Sequence, residues 1–132
     1  CHGSDSDLVL LVQPTQPLRH VKHLKAAIRM MRSKRLKAGS VVSVVRTMSR
    51  DLTFPLDARG RLPGSVQHGP TRRQDSRPAY RREGTVYLGT RGGLMRQGFY
   101  VSPCYALEVP AAETADLDTP EQWAEAVRRL KG

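Results

Sequence analysis

The apolar residues of this chain fall into short runs separated by polar and charged stretches. Residues 8–12 form an unbroken apolar run that stops at Gln13 and Pro14, and residues 40–45 form a second short run rich in valine. Runs this short are typical of strands buried on both faces of a sheet. Between them an apolar stripe recurs at helical spacing and predicts an amphipathic helix; it comprises Val21, Leu24, Ile28 and Met31. The pattern predicts a strand–helix–strand unit with parallel strands and a right-handed crossover.

In the second half of the chain, short apolar runs again alternate with polar and charged stretches. Residues 85–88 and 105–109 predict strands, and residues 100–101 predict a shorter one. A short helix is expected over Arg91–Gln97, closed by a glycine. A last helix is expected to start at Thr119 with a capping box, and its predicted buried face comprises Trp123, Val127 and Leu130. These elements indicate an α/β fold.

Residues 46–78 differ from the rest, because proline and glycine interrupt them repeatedly and long apolar runs are few. We expect a hairpin turn at residues 58–60, followed by an exposed arginine-rich segment. A long irregular segment in a compact domain is usually functional or belongs to a partner interface.

Charge narrows the choice of partners. The 132 residues carry a net charge of +10, concentrated in residues 19–37 and 72–82, whereas residues 108–125 hold six of the twelve acids and no Lys or Arg. A basic balance favours polyanions such as nucleotide phosphates, acidic sugars, nucleic acid or a membrane surface. Only 5% of residues are aromatic, and no stacking signature supports nucleic acid.

Hydropathy and cysteine content point to the cytoplasm. No apolar run approaches the roughly 20 residues needed to span a bilayer, so no membrane contact is expected. The first residues are polar and acidic, unlike a signal peptide. Cys1 and Cys104 are the only cysteines and make no disulfide framework. We therefore expect a single cytoplasmic domain.

Two aspartates form the clearest candidate metal site. Asp116 and Asp118 stand at i and i+2, so in an extended segment their side chains point the same way. A hard cation such as Mg²⁺ relieves the repulsion between neighbouring carboxylates and completes its shell with water and phosphate oxygens. The alternative is that Asp118 only precedes the helix cap while Asp116 is solvated.

Basic residues offer further candidates. Arg72, Arg73, Arg77, Arg81 and Arg82 form an arginine cluster, suited to carboxylate or phosphate or simply to a solvated interface. The first predicted helix also carries a basic stripe, either phosphate-binding or a solvated face. Its two histidines, three residues apart, are expected on the surface, since no second ligand pair accompanies them.

The loop after the first strand completes the candidates. Gln13, Thr15, Gln16 and Arg19 follow the strand directly, with two prolines that cannot continue the ladder. In open α/β sheets, ligands bind at the carboxyl ends of the strands.

Taken in order, these stretches resemble the cytidylyltransferases that activate acidic sugars, the family of the CMP-N-acetylneuraminate (sialic acid) synthetases. The resemblance covers nearly the whole chain. It rests on Leu11-Val12-Gln13-Pro14-Thr15-Gln16-Pro17-Leu18-Arg19, residues 40–45, Arg72-Arg73-Gln74-Asp75 with Pro78 and Tyr80, Arg81-Arg82-Glu83-Gly84-Thr85-Val86-Tyr87, and Asp116-Leu117-Asp118-Thr119-Pro120-Glu121.

The resemblance implies a Rossmann-like three-layer αβα nucleotidyltransferase fold with a mainly parallel sheet, and a homodimer in which residues 46–80 protrude as a dimerisation and sugar-binding segment. It implies attack of an acidic nine-carbon or Kdo-like sugar on CTP, giving a CMP-sugar and pyrophosphate. Such chemistry depends on positioning and on neutralising phosphate charge. By resemblance, Asp116 and Asp118 are catalytic and hold Mg²⁺, and the sugar contacts Gln13, Arg73, Gln74, Tyr80 and Arg81.

The chain departs from the family pattern at four places. After Val45 the loop lacks the family's usual basic sugar contact, for which Arg50 is a candidate replacement. Glu83 stands where the family usually has Asn, Gln16 replaces a Ser, and nothing matches the glycine- and lysine-bearing loop that cradles the triphosphate. We therefore expect a C-terminal part that lacks the first strands of the sheet, is inactive alone, and self-associates through an uncovered sheet edge. The alternatives are a non-catalytic dimerisation or sugar-binding remnant of that family and a basic polyanion binder.

Overall fold

The computed structural model describes residues 3–34, 39–48, 57–59, 61, 78–115 and 117–131. The chain divides into two compact units, one formed by Cys1–Val45 with Arg82–Gly132 and the other by Arg46–Arg81. In chain order the elements are β1 (Leu8–Leu11), α1 (Val21–Ser33), β2 (Ser40–Thr47), β3 (Ala79–Thr90), α2 (Arg91–Gln97), β4 (Cys104–Glu108), a 3-10 helix (Ala111–Glu113) and α3 (Pro120–Lys131). The fold is mixed α/β, as the sequence predicts.

The four strands form one mixed sheet in the order β1-β3-β2-β4. β1 pairs antiparallel with β3, and β2 pairs parallel with β4. Gly39 accepts a backbone hydrogen bond from Thr90, and Ser43 bonds the backbone of Val86, so β2 and β3 also run in opposite directions. β1 and β2 therefore run the same way, as predicted, with β3 inserted between them.

β1 lies at the edge of this sheet, and this corrects the prediction that it is buried on both faces. The apolar residues 8–12 each expose 36–40% of their surface. A strand hydrogen-bonds on two sides, and only β3 pairs with β1 within the described residues. The apolar run therefore forms a strand, but no other described element covers its side chains.

The core lies where α1 packs on the sheet. Ala27 and Met31 of α1 meet Val41 of β2 and Val86 and Leu88 of β3, all at most 2% exposed. Burying such side chains contributes about 1.5–3 kcal/mol for each of the larger ones. The predicted stripe of α1 is confirmed at three of its four positions, since Met31 belongs to the core and Leu24 and Ile28 pack against it. Val21 is instead 63% exposed, and His23 takes the buried position one turn before Ala27.

Local signals place the last two helices correctly. α2 spans Arg91–Gln97 and ends at Gly98, whose φ of 74° suits a glycine. At the start of α3, Gln122 N donates to Thr119 Oγ1 at 3.3 Å, and the Gln122 side chain accepts from Thr119 N at 2.9 Å. This reciprocal pair is the predicted capping box.

The predicted buried face of α3 is wrong, since Trp123 and Leu130 are each 61% exposed and only Ala126 is buried. The predicted strand at residues 100–101 is also absent, although Val101 is fully buried. Both errors concern packing partners, which periodicity does not specify.

In the second unit, Asp57 organises a turn at the expected place. Its carboxylate accepts from Arg59 N and Arg61 N, both at 2.9 Å, and pairs with the Arg61 guanidinium at 2.7 Å. The role of residues 46–80 in dimerisation stays a prediction. None of the helices in the described part of the chain has the length and apolar character needed to cross a membrane.

Candidate functional site

The loop that follows β1 is fixed to two distant segments by the side chain of Gln16. This side chain is 3% exposed. Its Nε2 donates to the backbone oxygen of Glu83, at the inner part of β3, and its Oε1 accepts from Ala115 N at 3.2 Å. One buried amide therefore joins the end of β1, the middle of β3 and the segment that leads to the two aspartates.

Arg19, at the other end of the same loop, also fixes it through two hydrogen bonds. Its Nε donates to Thr85 O at 2.8 Å, and its Nη2 donates to Gln13 O at 2.5 Å. Burial lowers the pKa of the Arg19 guanidinium, while attraction to Glu83 opposes that shift. The group stays charged at neutral pH, because arginine starts from a very high pKa.

The side chain of Glu83, which stands where the resembled family usually has Asn, points into the fold. The residue is 4% exposed, and its carboxylate accepts from Thr85 N at 3.1 Å and from Thr85 Oγ1 at 2.7 Å. The negative charge is thus partly balanced by Thr85 and by the nearby Arg19. A buried carboxylate with such partners is held rigidly.

Gln13 lies against Gly84 on β3. Gly84 has a φ of +85°, in the left-handed region that favours glycine. A Cβ there would clash with Gln13 Oε1 and come within 3.3 Å of Gln13 Cδ. The glycine therefore makes room for the Gln13 carboxamide, the predicted sugar-facing group.

Asp118 stands at the entrance of α3, where its backbone N–H donates to Gln122 Oε1 at 2.7 Å. The residue is exposed, and no hydrogen bond to its carboxylate occurs among the described residues. Such an exposed carboxylate fits Mg²⁺, which binds through one or two carboxylates and keeps several waters. Asp116 lies outside the described residues. Among the described residues no cluster of three or more metal-ligating side chains occurs.

The remaining predicted sugar contacts belong to the second unit. Tyr80 and Arg81 are exposed at the start of β3. Arg73 and Gln74 lie outside the described residues. Their convergence on Gln13 stays a prediction.

An aromatic cluster that the sequence reasoning did not identify lies beside β3. Tyr87 meets Phe99 and Tyr100 edge-on, each at 6.2 Å between ring centroids. The Arg82 guanidinium lies 4.8 Å from the centre of the Tyr100 ring and donates to its hydroxyl. Burial, with Tyr100 next in importance, raises the pKa of Tyr87. The sequence signal for this cluster is the two aromatic residues, Phe99 and Tyr100, that directly follow Gly98.

His23 is the second residue whose setting the sequence reasoning missed. It is 6% exposed, and its Nε2 contacts Glu113 Oε2 at 2.8 Å, while Lys22 Nζ contacts Glu113 Oε1 at 2.6 Å. These contacts pin α1 to the 3-10 helix. The spacing of His23, Ala27 and Met31 at four-residue intervals was a signal for this burial.

No protein-family model matches this chain, and no curated protein matches it. The site therefore has to be interpreted from its own chemistry. Within the first unit it offers a carboxamide at a strand end, a fixed guanidinium, and an exposed carboxylate on a segment held by Gln16. Such groups can orient an anionic substrate and hold a hydrated cation.

Proposed function

We propose that the chain is part of a cytidylyltransferase that joins CTP to an acidic sugar, releasing pyrophosphate and a CMP-sugar. The observation that carries the proposal is the double hydrogen bond of Gln16 to Glu83 and Ala115. Three of the motifs on which the resemblance rests are far apart in sequence. In the folded chain this one buried side chain joins two of them, through Gln16 itself and Glu83, and reaches Ala115, the residue before the third.

The role proposed for each residue follows from the chemical group of its side chain. The Gln13 carboxamide, which occupies the space left free by Gly84, orients the sugar at the end of β1. Asp118, with Asp116, holds a hydrated Mg²⁺, which supplies positive charge against the phosphates. Arg73, Gln74, Tyr80 and Arg81 complete the sugar contacts, with Arg73 on the sugar carboxylate.

The finer architecture belongs to the same proposal. A Rossmann-like three-layer αβα fold is compatible with three strands running one way and a helix packed on the sheet. The uncovered β1 edge is the place where further strands of such a fold would pair. A triphosphate-binding loop is also needed for turnover. We further propose a cytoplasmic homodimer.

The test separates sugar binding from turnover. Saturation-transfer NMR with N-acetylneuraminate and CMP-N-acetylneuraminate checks binding to the chain itself, and pyrophosphate release from CTP and Mg²⁺ checks turnover by a protein that includes the loop. We expect Gln13→Ala to weaken sugar binding and Asp118→Asn to lower turnover. Gln97→Ala and Asp5→Asn are matched controls on exposed positions. Loss in the controls equal to that in the site variants would contradict the proposal.

A non-catalytic sugar-binding remnant is the second candidate. It is favoured by Glu83, which places a buried negative charge beside a site meant for an acidic sugar. Sugar binding without pyrophosphate release, in the presence of the triphosphate loop, supports this candidate against the first.

A further inference from the structure

A cleft of about 590 Å³ opens in the first unit between the loop before α1, the 3-10 helix and the end of α3. Its size is in the range of sites for small organic molecules. Of the described residues given a role in the proposed transfer, neither Gln13 nor Asp118 lines it, whereas Arg19, which holds the Gln13 loop, does. The lining comprises Pro17, Leu18, Arg19, His20, Ala112, Arg129 and Leu130.

The charge in this cleft is positive on both sides. Arg19 and Arg129 line it, and none of the described acidic side chains does. The Arg19 guanidinium is held by two backbone carbonyls, those of Thr85 and Gln13. These neutral acceptors fix its orientation. The nearby Glu83 attracts the guanidinium but does not line the cleft, so the arginine is the charged group at the wall.

Arg129 is also held, by one backbone carbonyl and one carboxylate. Its Nη1 donates to Thr114 O at 3.3 Å, and its Nε donates to Glu125 at 2.8 Å. Glu125 also pairs with Arg128 at 2.6 Å. One carboxylate therefore faces two guanidinium groups, which leaves a local excess of positive charge beside the cleft.

The rest of the lining is apolar. It includes Pro17 and Leu18 from the loop before α1 and Leu130, which is 61% exposed, from α3. An exposed leucine beside two fixed arginines suits a ligand with an anionic end and an apolar or ring-shaped body. We propose that this cleft is a binding site for a small organic oxyanion, with its phosphate or carboxylate group between Arg19 and Arg129 and its body against Leu18 and Leu130.

The probes separate the parts of such a ligand. Phenyl phosphate and benzoate each combine a ring with an oxyanion, inorganic phosphate has the anion alone, and phenol has the ring alone. We expect saturable binding of phenyl phosphate or benzoate by NMR titration, tighter than phosphate or phenol. The stronger of the two ring-bearing anions tells whether the natural ligand carries phosphate or carboxylate. Absence of saturable binding for all the anions overturns the proposal.

A matched pair of variants tests the arginine. Arg129→Gln and Arg128→Gln remove the same charge from neighbouring positions of α3, and both residues pair with Glu125, but only Arg129 lines the cleft. We expect Arg129→Gln to weaken binding of the ring-bearing anion by about tenfold or more, the loss typical of one charge-assisted hydrogen bond. We expect Arg128→Gln to leave it within about threefold, as for exposed charges. Equal weakening in both variants overturns the proposal.

A second variant keeps the test valid if Arg129→Gln fails to fold. Ala112 is exposed on the 3-10 helix, and Ala112→Glu adds a carboxylate at the cleft without removing a contact. We expect it to abolish anion binding while circular dichroism stays unchanged, and retained binding contradicts the proposal. Gln13→Ala should leave this binding intact, so failure of the proposed sugar transfer and failure of the cleft are distinguishable.

Discussion

The Gln13 carboxamide occupies the space that a side chain at Gly84 would need. Gly84 also has a left-handed φ of +85°, so the position is restricted in two independent ways. We expect Gly84→Ala to cost about 1–2 kcal/mol of unfolding free energy from backbone strain. The clash itself adds little to that cost, because the end of a glutamine side chain can move aside.

Gly98→Ala separates the two restrictions. Gly98 has a φ of +74° but nothing within 4 Å of a Cβ at that position. We expect both variants to lose similar stability in urea unfolding, while only Gly84→Ala shifts the side-chain amide resonances of Gln13. Unchanged Gln13 resonances in Gly84→Ala would show that the contact is absent.

Gln16 is expected to contribute more stability than any exposed glutamine. Gln16→Ala leaves the backbone oxygen of Glu83 and the N–H of Ala115 without their partner. Losing a buried hydrogen-bonding partner costs about 1–3 kcal/mol. Gln97→Ala, which removes one exposed contact to Ser102 N, is the control and should cost about 0.5 kcal/mol or less. Equal losses in urea unfolding would contradict the central role of Gln16.

Glu113 is expected to make stability depend on acid pH. Hydrogen bonding from Lys22, followed by His23, lowers the pKa of Glu113 below its ordinary value of 4.5. A carboxylate with a lowered pKa stabilises the fold above the unfolded pKa, and this contribution disappears as pH falls through the folded pKa. We therefore expect Glu113→Gln to lower stability at neutral pH and to flatten the loss of stability at a pH below 4.5.

The control for Glu113 is Glu108→Gln, which removes a carboxylate from an exposed position on β4. Urea unfolding of both variants, at neutral pH and in acid, separates the specific contacts from net charge. The same pH profile in both variants would contradict the assignment.

The β1 edge is expected to drive self-association. Val9 is 39% exposed within a run of five uncharged residues, and such an edge lacks the lysine or proline that commonly blocks pairing. Val9→Lys should reduce the concentration-dependent rise in mass seen by light scattering. Val21→Lys, which makes the same change at a 63% exposed position of α1, should not. A wild-type chain that stays monomeric at high concentration contradicts this expectation.

Elements with local signals could be predicted from the sequence alone. The α2 helix ends at Gly98 and α3 begins at Thr119, because a helix cap is decided by hydrogen bonds within a few residues. The short apolar runs that became β1 and β2 were also recognised. For the same reason the turn at Asp57 was placed correctly, since one aspartate side chain satisfies it.

The candidate site could be predicted only in part. The places of Gln13 after a strand and of Asp118 before a helix predict them as site residues, whereas no local pattern predicts the buried bridge made by Gln16. That bridge spans 67 residues to Glu83 and 99 residues to Ala115. No local pattern reports such a contact, because it depends on which strands become neighbours.

Periodicity, caps and turns act over a few residues, so the sequence alone predicts most helices and strands to within a few residues. The exception is β3, predicted over residues 85–88, which spans Ala79–Thr90. Only the tertiary structure decided that β3 lies between β1 and β2, that His23 rather than Val21 faces the core, and that the apolar residues of β1 and Trp123 stay exposed. The physical reason is that burial is a property of contacts between distant segments. An apolar residue is buried only where another element covers it.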